Sequence, residues 1–213
     1  MICISISEKS KDKCLEIIRS AEMAEIRIDM AGYDETDVRY VFSNSGKPLI
    51  ATCRPEIVKD SERKILLKAA IETGAEYVDI ETDAENNLKH EIIGFARSQG
   101  CKVIVSYHNF KNTPDPGELH SIIRSCYDSG ADIAKIATTA LNTRDCARIL
   151  SLYGYYDSLV ALAMGEAGKI TRAANIFMGS PFTFAAISDE QKTAPGQFTV
   201  CELNQIKSII KKD

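Results

Sequence analysis

Short β-branched apolar runs recur along the chain, each followed by a longer stretch whose apolar residues fall at helical spacing. That alternation is the pattern of parallel βαβ units. It predicts eight strands, over residues 2–7, 23–29, 48–53, 77–81, 102–107, 133–137, 159–164 and 183–187. Several, such as LVALAM at 159–164, are apolar at consecutive positions, as a strand covered on both faces requires. Helices are expected between them. One over 60–73 places Ile65, Leu66, Ala69 and Ala70 on one stripe and stops at Gly74. Another over 116–129 stops at Gly130, and a third, over 203–212, closes the chain.

Eight strands with a helix after each can close into a barrel or leave an open, doubly wound sheet. The count of eight, and the lack of a G-x-G-x-x-G after the first strand, favour a single (β/α)8 TIM barrel spanning residues 1–213 as one domain. A length of 213 residues suits one domain with short loops. With 45% hydrophobic and 26% charged residues the chain is far from the disordered regime. A net charge of -4 gives no attraction for nucleic acid, and the basic residues are scattered apart from Lys211 and Lys212. The first apolar run is too short for a signal peptide, and none approaches the ~18 residues of a membrane span, so the expected address is the cytoplasm. Seven cysteines, widely spaced and without a Cys-x-x-Cys pair, argue against a disulfide framework or a zinc site.

In barrels the chemistry sits at the carboxyl ends of the strands, so the polar residues there carry the functional argument. The second strand carries Glu25, Arg27 and Asp29, the third runs into Arg54, the fourth carries Asp79 and Glu81, the fifth runs into His108, and the sixth carries Lys135. A charge inside a buried strand is costly unless it is paired or lines a site. Lys135, in ADIAKIATTA, is the sharpest case. Desolvation favours the neutral amine, which is a nucleophile able to form an imine with a ketone; the alternative is a buried ion pair with Glu81 or Glu25. His108, where the fifth strand becomes a loop, can move protons near neutral pH or can merely cap the loop. Glu81, one strand earlier, is placed to accept a hydrogen bond from its imidazole. His90 and His120 fall in polar helical stretches and are expected in solvent. Loops after the last two strands commonly bind anions, which singles out Arg172 and the run from Thr193 to Gln197. Arg27, Arg54 and Arg172 at one mouth suggest a carboxylate substrate, unless some of them only balance Glu25, Asp29 and Glu81.

Taken together, E-I-R-I-D at 25–29, T-C-R at 52–54, D-I-E at 79–81, S-Y-H-N-F at 106–110 and A-K-I-A at 134–137 form an ordered set. With M-G-E-A-G-K-I-T-R at 164–172, residues 177–185 and T-A-P-G-Q at 193–197, the chain resembles the type I 3-dehydroquinate dehydratases of the shikimate pathway over nearly its whole length. That resemblance implies a hydro-lyase acting by Schiff-base syn elimination of water from 3-dehydroquinate, with no metal or cofactor. It implies that Lys135 forms the imine, His108 shuttles the proton and Glu81 orients His108. Arg172 would meet the substrate carboxylate, Ser5, Glu25, Arg27, Arg54, Thr193 and Gln197 would hold hydroxyls or order the site, and Met164 would pack beside the ring. The expected partner is that small molecule, with no nucleic acid or membrane and a homodimer as the candidate assembly.

The chain departs from the family pattern after Arg54, where PEIVKDSER replaces an acidic, glycine-containing loop. The short N-terminus points to a monofunctional enzyme. Two other readings compete: a transaldolase-type Schiff-base aldolase for sugar phosphates, and an inactive barrel that binds a shikimate-like ligand as a regulator.

Overall fold

The computed structural model describes residues 1–210. Its strands are β1 (Ile2–Ile6), β2 (Met23–Arg27), β3 (Leu49–Thr52), β4 (Tyr77–Glu81), β5 (Lys102–Asn109), β6 (Ile133–Thr139), β7 (Leu159–Met164) and β8 (Thr183–Ala185). The helices are α1 (Lys11–Ser20), α2 (Ile28–Ala31), α3 (Glu35–Asn44), α4 (Asp60–Glu72), α5 (Asn86–Ser98), α6 (Pro116–Asp128), α7 (Thr143–Ser151), α8 (Lys169–Ala174) and α9 (Val200–Ile210). Every ladder is parallel, and each strand from β1 to β7 lies beside the next in sequence, with β8 on the free side of β1. No strand order reverses, as it would at the switch point of a doubly wound sheet. The (β/α)8 barrel is therefore the fold.

Alternation along parallel strands sorts the side chains by height inside the barrel. The floor is apolar: Cys3, Met23, Ile50, Ile104, Ile133, Val160, Phe182 and Phe184 form one cluster, with Tyr77 packed against it. Two residues further along, the interior turns polar at Ser5, Glu25, Thr52, Asp79, Ser106 and Lys135, all buried. Another step brings Arg27, Arg54, Glu81 and His108 to the open end. The outward-facing positions, such as Val78, Ile80, Ala134 and Ile136, join the larger core beneath the helices.

No ladder joins β7 to β8. The backbone groups of β7 that would face it find side chains instead. The Tyr153 hydroxyl accepts from Ala161 N–H and donates to Ala161 C=O, both at 2.8 Å. Thr171 Oγ1, on α8, accepts from Ala163 N–H at 2.8 Å. On α8 itself, the carbonyl of Arg172 accepts from Thr183 Oγ1 on β8 at 2.9 Å. Side chains and α8 thus satisfy the seam that would otherwise be an exposed edge.

Several expected boundaries shift. The strand expected over 23–29 stops at Arg27, and Asp29 sits in α2. Strands β5 and β6 run on to Asn109 and Thr139, because the polar tips pair with each other, His108 beside Ala137 and Asn109 beside Thr138. On α4 the buried stripe is Arg63, Leu66, Leu67, Ala70 and Ile71, with Ala69, whereas Ile65 is 51% exposed. The last helix starts earlier than expected, at Val200; the end of the expected 203–212 helix lies outside the described residues.

Candidate active site

A cavity of about 730 Å³ opens at the carboxyl ends of the strands. Every residue singled out for the site from the sequence lines it: Lys135, His108, Glu81, Ser5, Glu25, Arg27, Arg54, Met164, Arg172, Thr193 and Gln197. Their meeting follows from the layering, since each sits on the upper interior steps of a strand, just beyond a strand's end, or on α8 and the 193–197 run that follow β7 and β8.

Lys135 stands at the cavity floor with its ammonium 4.3 Å from the centre of the Phe184 ring. Its Nζ donates to Asp79 Oδ2 at 2.8 Å and lies 3.5 Å from Glu25 Oε1. Glu25 in turn accepts from Thr52 Oγ1 at 2.9 Å and from the Ser5 hydroxyl. Burial alone would push the Glu25 carboxyl up, but Lys135, Arg27 and the Ser5 hydroxyl outweigh it and hold it below its ordinary value. Asp79 is fully buried behind the cavity wall; burial opposes its ionisation, yet Arg54, Lys135 and His108 hold its carboxyl far below the usual carboxylate range. The ion pair anticipated for Lys135 exists, with Glu25 as the outer partner and Asp79, rather than Glu81, as the inner one.

The hydrogen bond expected from His108 to Glu81 is not made. Glu81 Oε1 accepts from Arg54 Nη1 and Oε2 from Arg63 Nη2, each at 2.5 Å, so two guanidinium groups occupy the carboxylate. Two charged donors on one carboxylate outcompete a neutral imidazole. His108 instead lies nearly parallel to the Phe110 ring, with centroids 6.2 Å apart. Burial pushes its pKa well below the ordinary imidazole value, and the positive charges of Arg54 and Lys135 push it further. The ring is therefore neutral at pH 7. The pairing of Ser106 with Lys135 and of His108 with Ala137 sets His108 one pleat above Lys135 on the neighbouring strand.

Two of the three arginines are balanced internally. Arg27 grips Asp29 through Nε at 3.1 Å and Nη2 at 2.6 Å. Arg54 meets Asp79 at 2.9 Å as well as Glu81. Arg172, 2% exposed, has no carboxylate: Nη2 donates to Pro195 C=O at 3.2 Å and Nε has no partner among the described residues. Burial lowers its pKa to about 10. Glu25, Asp29, Asp79 and Glu81 are thus matched by Arg27, Arg54, Arg63 and Lys135, and Arg172 is left uncompensated.

The 193–197 run is fixed against this arginine. Gly196, at φ +71°, passes so close to Gly165 C=O that a Cβ would overlap it, which ties the loops after β7 and β8 together. Gln197 Oε1 accepts from Thr193 N–H at 2.9 Å, and Thr193 Oγ1 donates to Ser5 Oγ at 3.0 Å.

Arg63 escaped the sequence reading. It lies inside the segment that departs from the family pattern, and its only signal was helical spacing that puts it on the buried stripe with Leu66, Leu67 and Ala70. Ser106, which donates to Asp79 Oδ1 at 2.6 Å, gave no signal beyond its alternation with His108. His120 is half-buried rather than in solvent, its Nδ1 2.8 Å from the Tyr156 hydroxyl, whereas His90 is exposed.

Fold and site define a class: (β/α)8 barrels with a buried strand-six lysine and a neutral histidine facing a cavity that also holds a buried, carboxylate-free arginine. Comparison with known proteins narrows it. The family model for type I 3-dehydroquinase matches residues 2–213, and the chain belongs to that family. It is 37% identical to the 3-dehydroquinate dehydratase of Methanothermobacter thermautotrophicus, over 93% of this chain and 92% of that protein. It is 34% identical to that of Pyrococcus abyssi, over 99% and 98% respectively. Among solved structures, the 3-dehydroquinate dehydratase of Geobacillus kaustophilus superposes with a TM-score of 0.87 at 25% identity, covering 99% of this chain and 90% of that one. The type I enzyme of Clostridium difficile, solved with covalently modified comenic acid, gives 0.85 at 26% identity over 98% and 91%.

Proposed function

We propose that the cavity dehydrates 3-dehydroquinate to 3-dehydroshikimate through an imine on Lys135. Membership of the type I 3-dehydroquinase family makes the chain a hydro-lyase and decides against the sugar-phosphate aldolase and the inactive regulator. Arg172 carries the residue-level reading: a buried guanidinium without a carboxylate, beside a lysine and a neutral histidine, calls for a substrate that brings both a carboxylate and a carbonyl.

In this reading the Lys135 amine adds to the ring ketone, water leaves, and a protonated imine forms. Its positive charge stays beside Asp79 and Glu25, so the site that holds the ammonium also holds the iminium. The neutral imidazole of His108 removes the proton from the adjacent carbon, and the electron pair is taken up by the imine as an enamine. The enamine expels the neighbouring hydroxyl as His108 returns its proton, and water then frees Lys135. Glu81 serves by fixing Arg54 rather than His108. Arg172 holds the carboxylate, Ser5, Glu25, Arg27, Arg54, Thr193 and Gln197 order the hydroxyls and the wall, and Met164 packs beside the ring.

We also assign residues 1–213 to a single catalytic domain, a cytoplasmic address and a homodimeric assembly, without nucleic acid as a partner. No helix among the described residues is long and apolar enough to cross a membrane, and the unpaired cysteines suit a reducing compartment. The deciding experiment is intact-protein mass spectrometry after mixing with 3-dehydroquinate and borohydride, followed by peptide mapping. A reduced adduct on Lys135 is expected; turnover of the substrate with no adduct on Lys135 overturns the imine assignment.

A further inference from the structure

Arg63 does not line the cavity, yet its guanidinium is fully buried and each of its nitrogens is used. Nε donates to Cys53 C=O at 2.7 Å, Nη1 to Asp60 Oδ1 at 2.6 Å and Nη2 to Glu81 Oε2 at 2.5 Å. The first contact fixes the backbone one residue before Arg54, and the third fixes the carboxylate that Arg54 grips. Arg54 is thereby held at both its root and its tip. From its tip the arrangement continues inward: Arg54 Nη2 lies 2.9 Å from Asp79 Oδ2, Arg54 Nη1 donates to Ser106 Oγ at 3.1 Å, and Ser106 donates to Asp79. Asp79 Oδ2 receives Lys135.

We propose that Arg63, outside the cavity on α4, is a positioning residue for Lys135, acting through Glu81 and Arg54 on the buried carboxylate of Asp79. The proposal rests on the reading of Lys135 as the imine-forming amine. A buried guanidinium is costly, and an apolar residue would fill the same volume between α4 and the barrel without that cost. What the guanidinium adds is direction. Charges alternate from Arg63 through Glu81, Arg54 and Asp79 to Lys135, so each link limits where the next can sit. Without Arg63, one oxygen of Glu81 is unclaimed, and Arg54 can swing toward it and away from Asp79, leaving Lys135 as the principal cation on that carboxylate. The amine then sits deeper and is released less readily for attack.

The test compares the unaltered protein with Arg63→Met, Arg63→Lys, Glu81→Gln and the Arg63→Met/Glu81→Gln double variant. The readouts are steady-state kinetics, borohydride trapping of the 3-dehydroquinate adduct and thermal unfolding. In folded Arg63→Met, kcat and the trapping rate should fall roughly tenfold to a hundredfold, with KM changing by less than about threefold. Arg63→Lys keeps the charge but not the three-way fork and should recover part of the loss. Since Arg63 acts through Glu81, the double variant should be no slower than Glu81→Gln alone. That comparison also serves if Arg63→Met does not fold, because removing both partners leaves no buried charge unpaired. Wild-type kcat in folded Arg63→Met, wild-type kcat in Glu81→Gln, or losses that multiply in the double variant would each overturn the proposal. Absence of a Lys135 adduct in the unaltered protein would instead overturn the underlying imine reading, so the two failures are distinguishable.

Discussion

Lys135 Nζ lies 2.8 Å from Oδ2 of Asp79, a carboxylate with no exposure to solvent. The pair spans two strands, β4 and β6, with β5 between them contributing Ser106 to the other carboxylate oxygen. The amine is thus held at the cavity surface by an anchor that does not itself line the cavity.

Lys135→Ala is accordingly expected to abolish turnover and to leave the barrel folded. Asp79 keeps Arg54 and Ser106, and Glu25 keeps Ser5 and Thr52, so the loss of stability should be about 3 kcal/mol. Circular dichroism with chemical unfolding checks the fold. A normal rate in the folded variant would remove the imine mechanism.

His108→Ala should part the two halves of the reaction. It removes the base but none of the contacts of Lys135, so 3-dehydroquinate and borohydride should still give the Lys135 adduct while product formation stops. A variant that takes up no adduct would mean that His108 is needed for imine formation itself.

Activity should also persist into mild acid. Burial, Arg54 and Lys135 all depress the His108 pKa, so the neutral base survives below the ~6.5 of a free imidazole. It is lost only as pH falls through the depressed value. The acid limb of kcat/KM, measured on the free enzyme, should therefore have its midpoint below ~6.5. A midpoint at or above that value would contradict a His108 imidazole depressed by burial and by Arg54 and Lys135.

Arg172→Lys should keep a positive charge and lose the planar fork. A difference of about 2 kcal/mol in carboxylate binding corresponds to roughly a thirtyfold rise in KM. Thermal stability should change little or rise, because the buried guanidinium has an unpartnered Nε in the free protein. Unchanged KM would place the substrate carboxylate elsewhere.

Tyr153→Phe probes the seam rather than the site. It leaves the N–H and C=O of Ala161 without their shared partner and should cost about 1–3 kcal/mol in denaturant unfolding. The kcat should be unaltered, since Tyr153 lies outside the cavity.

The strands were legible because period-two alternation and β-branched runs report local burial, and β4 and β7 match their expected bounds. Strands β5 and β6 outran expectation because their last residues are polar, and only the partner strand shows that they pair. The candidate site residues were legible because strand ends converge in a barrel, whatever their separation in sequence. What each residue touches was not legible. Glu81 looked free for His108 because the arginine that claims it, Arg63, sits on a helix outside the barrel. Asp79 read only as one more acid at a strand end, since the lysine it holds is two strands away. Ile65 and Leu67 differ by two positions on one helix, about 200° of rotation, and only packing decides which of them is covered.

The unladdered seam has a consequence for how the molecule is assembled. Because β8 forms its ladder with β1 alone, joining Ile2 to Thr183, the last wall of the barrel can dock only against a strand made some 180 residues earlier. Loop-closure entropy makes such a contact a late event. The residues that hang from that wall, Thr193 reaching back to Ser5 and Pro195 to Arg172, come into register in the same event. A chain that has folded only through β7 has its lysine and histidine in place but lacks the Thr193 contact to Ser5 and the Pro195 carbonyl that fixes Arg172, so the cavity wall is completed only with topological closure.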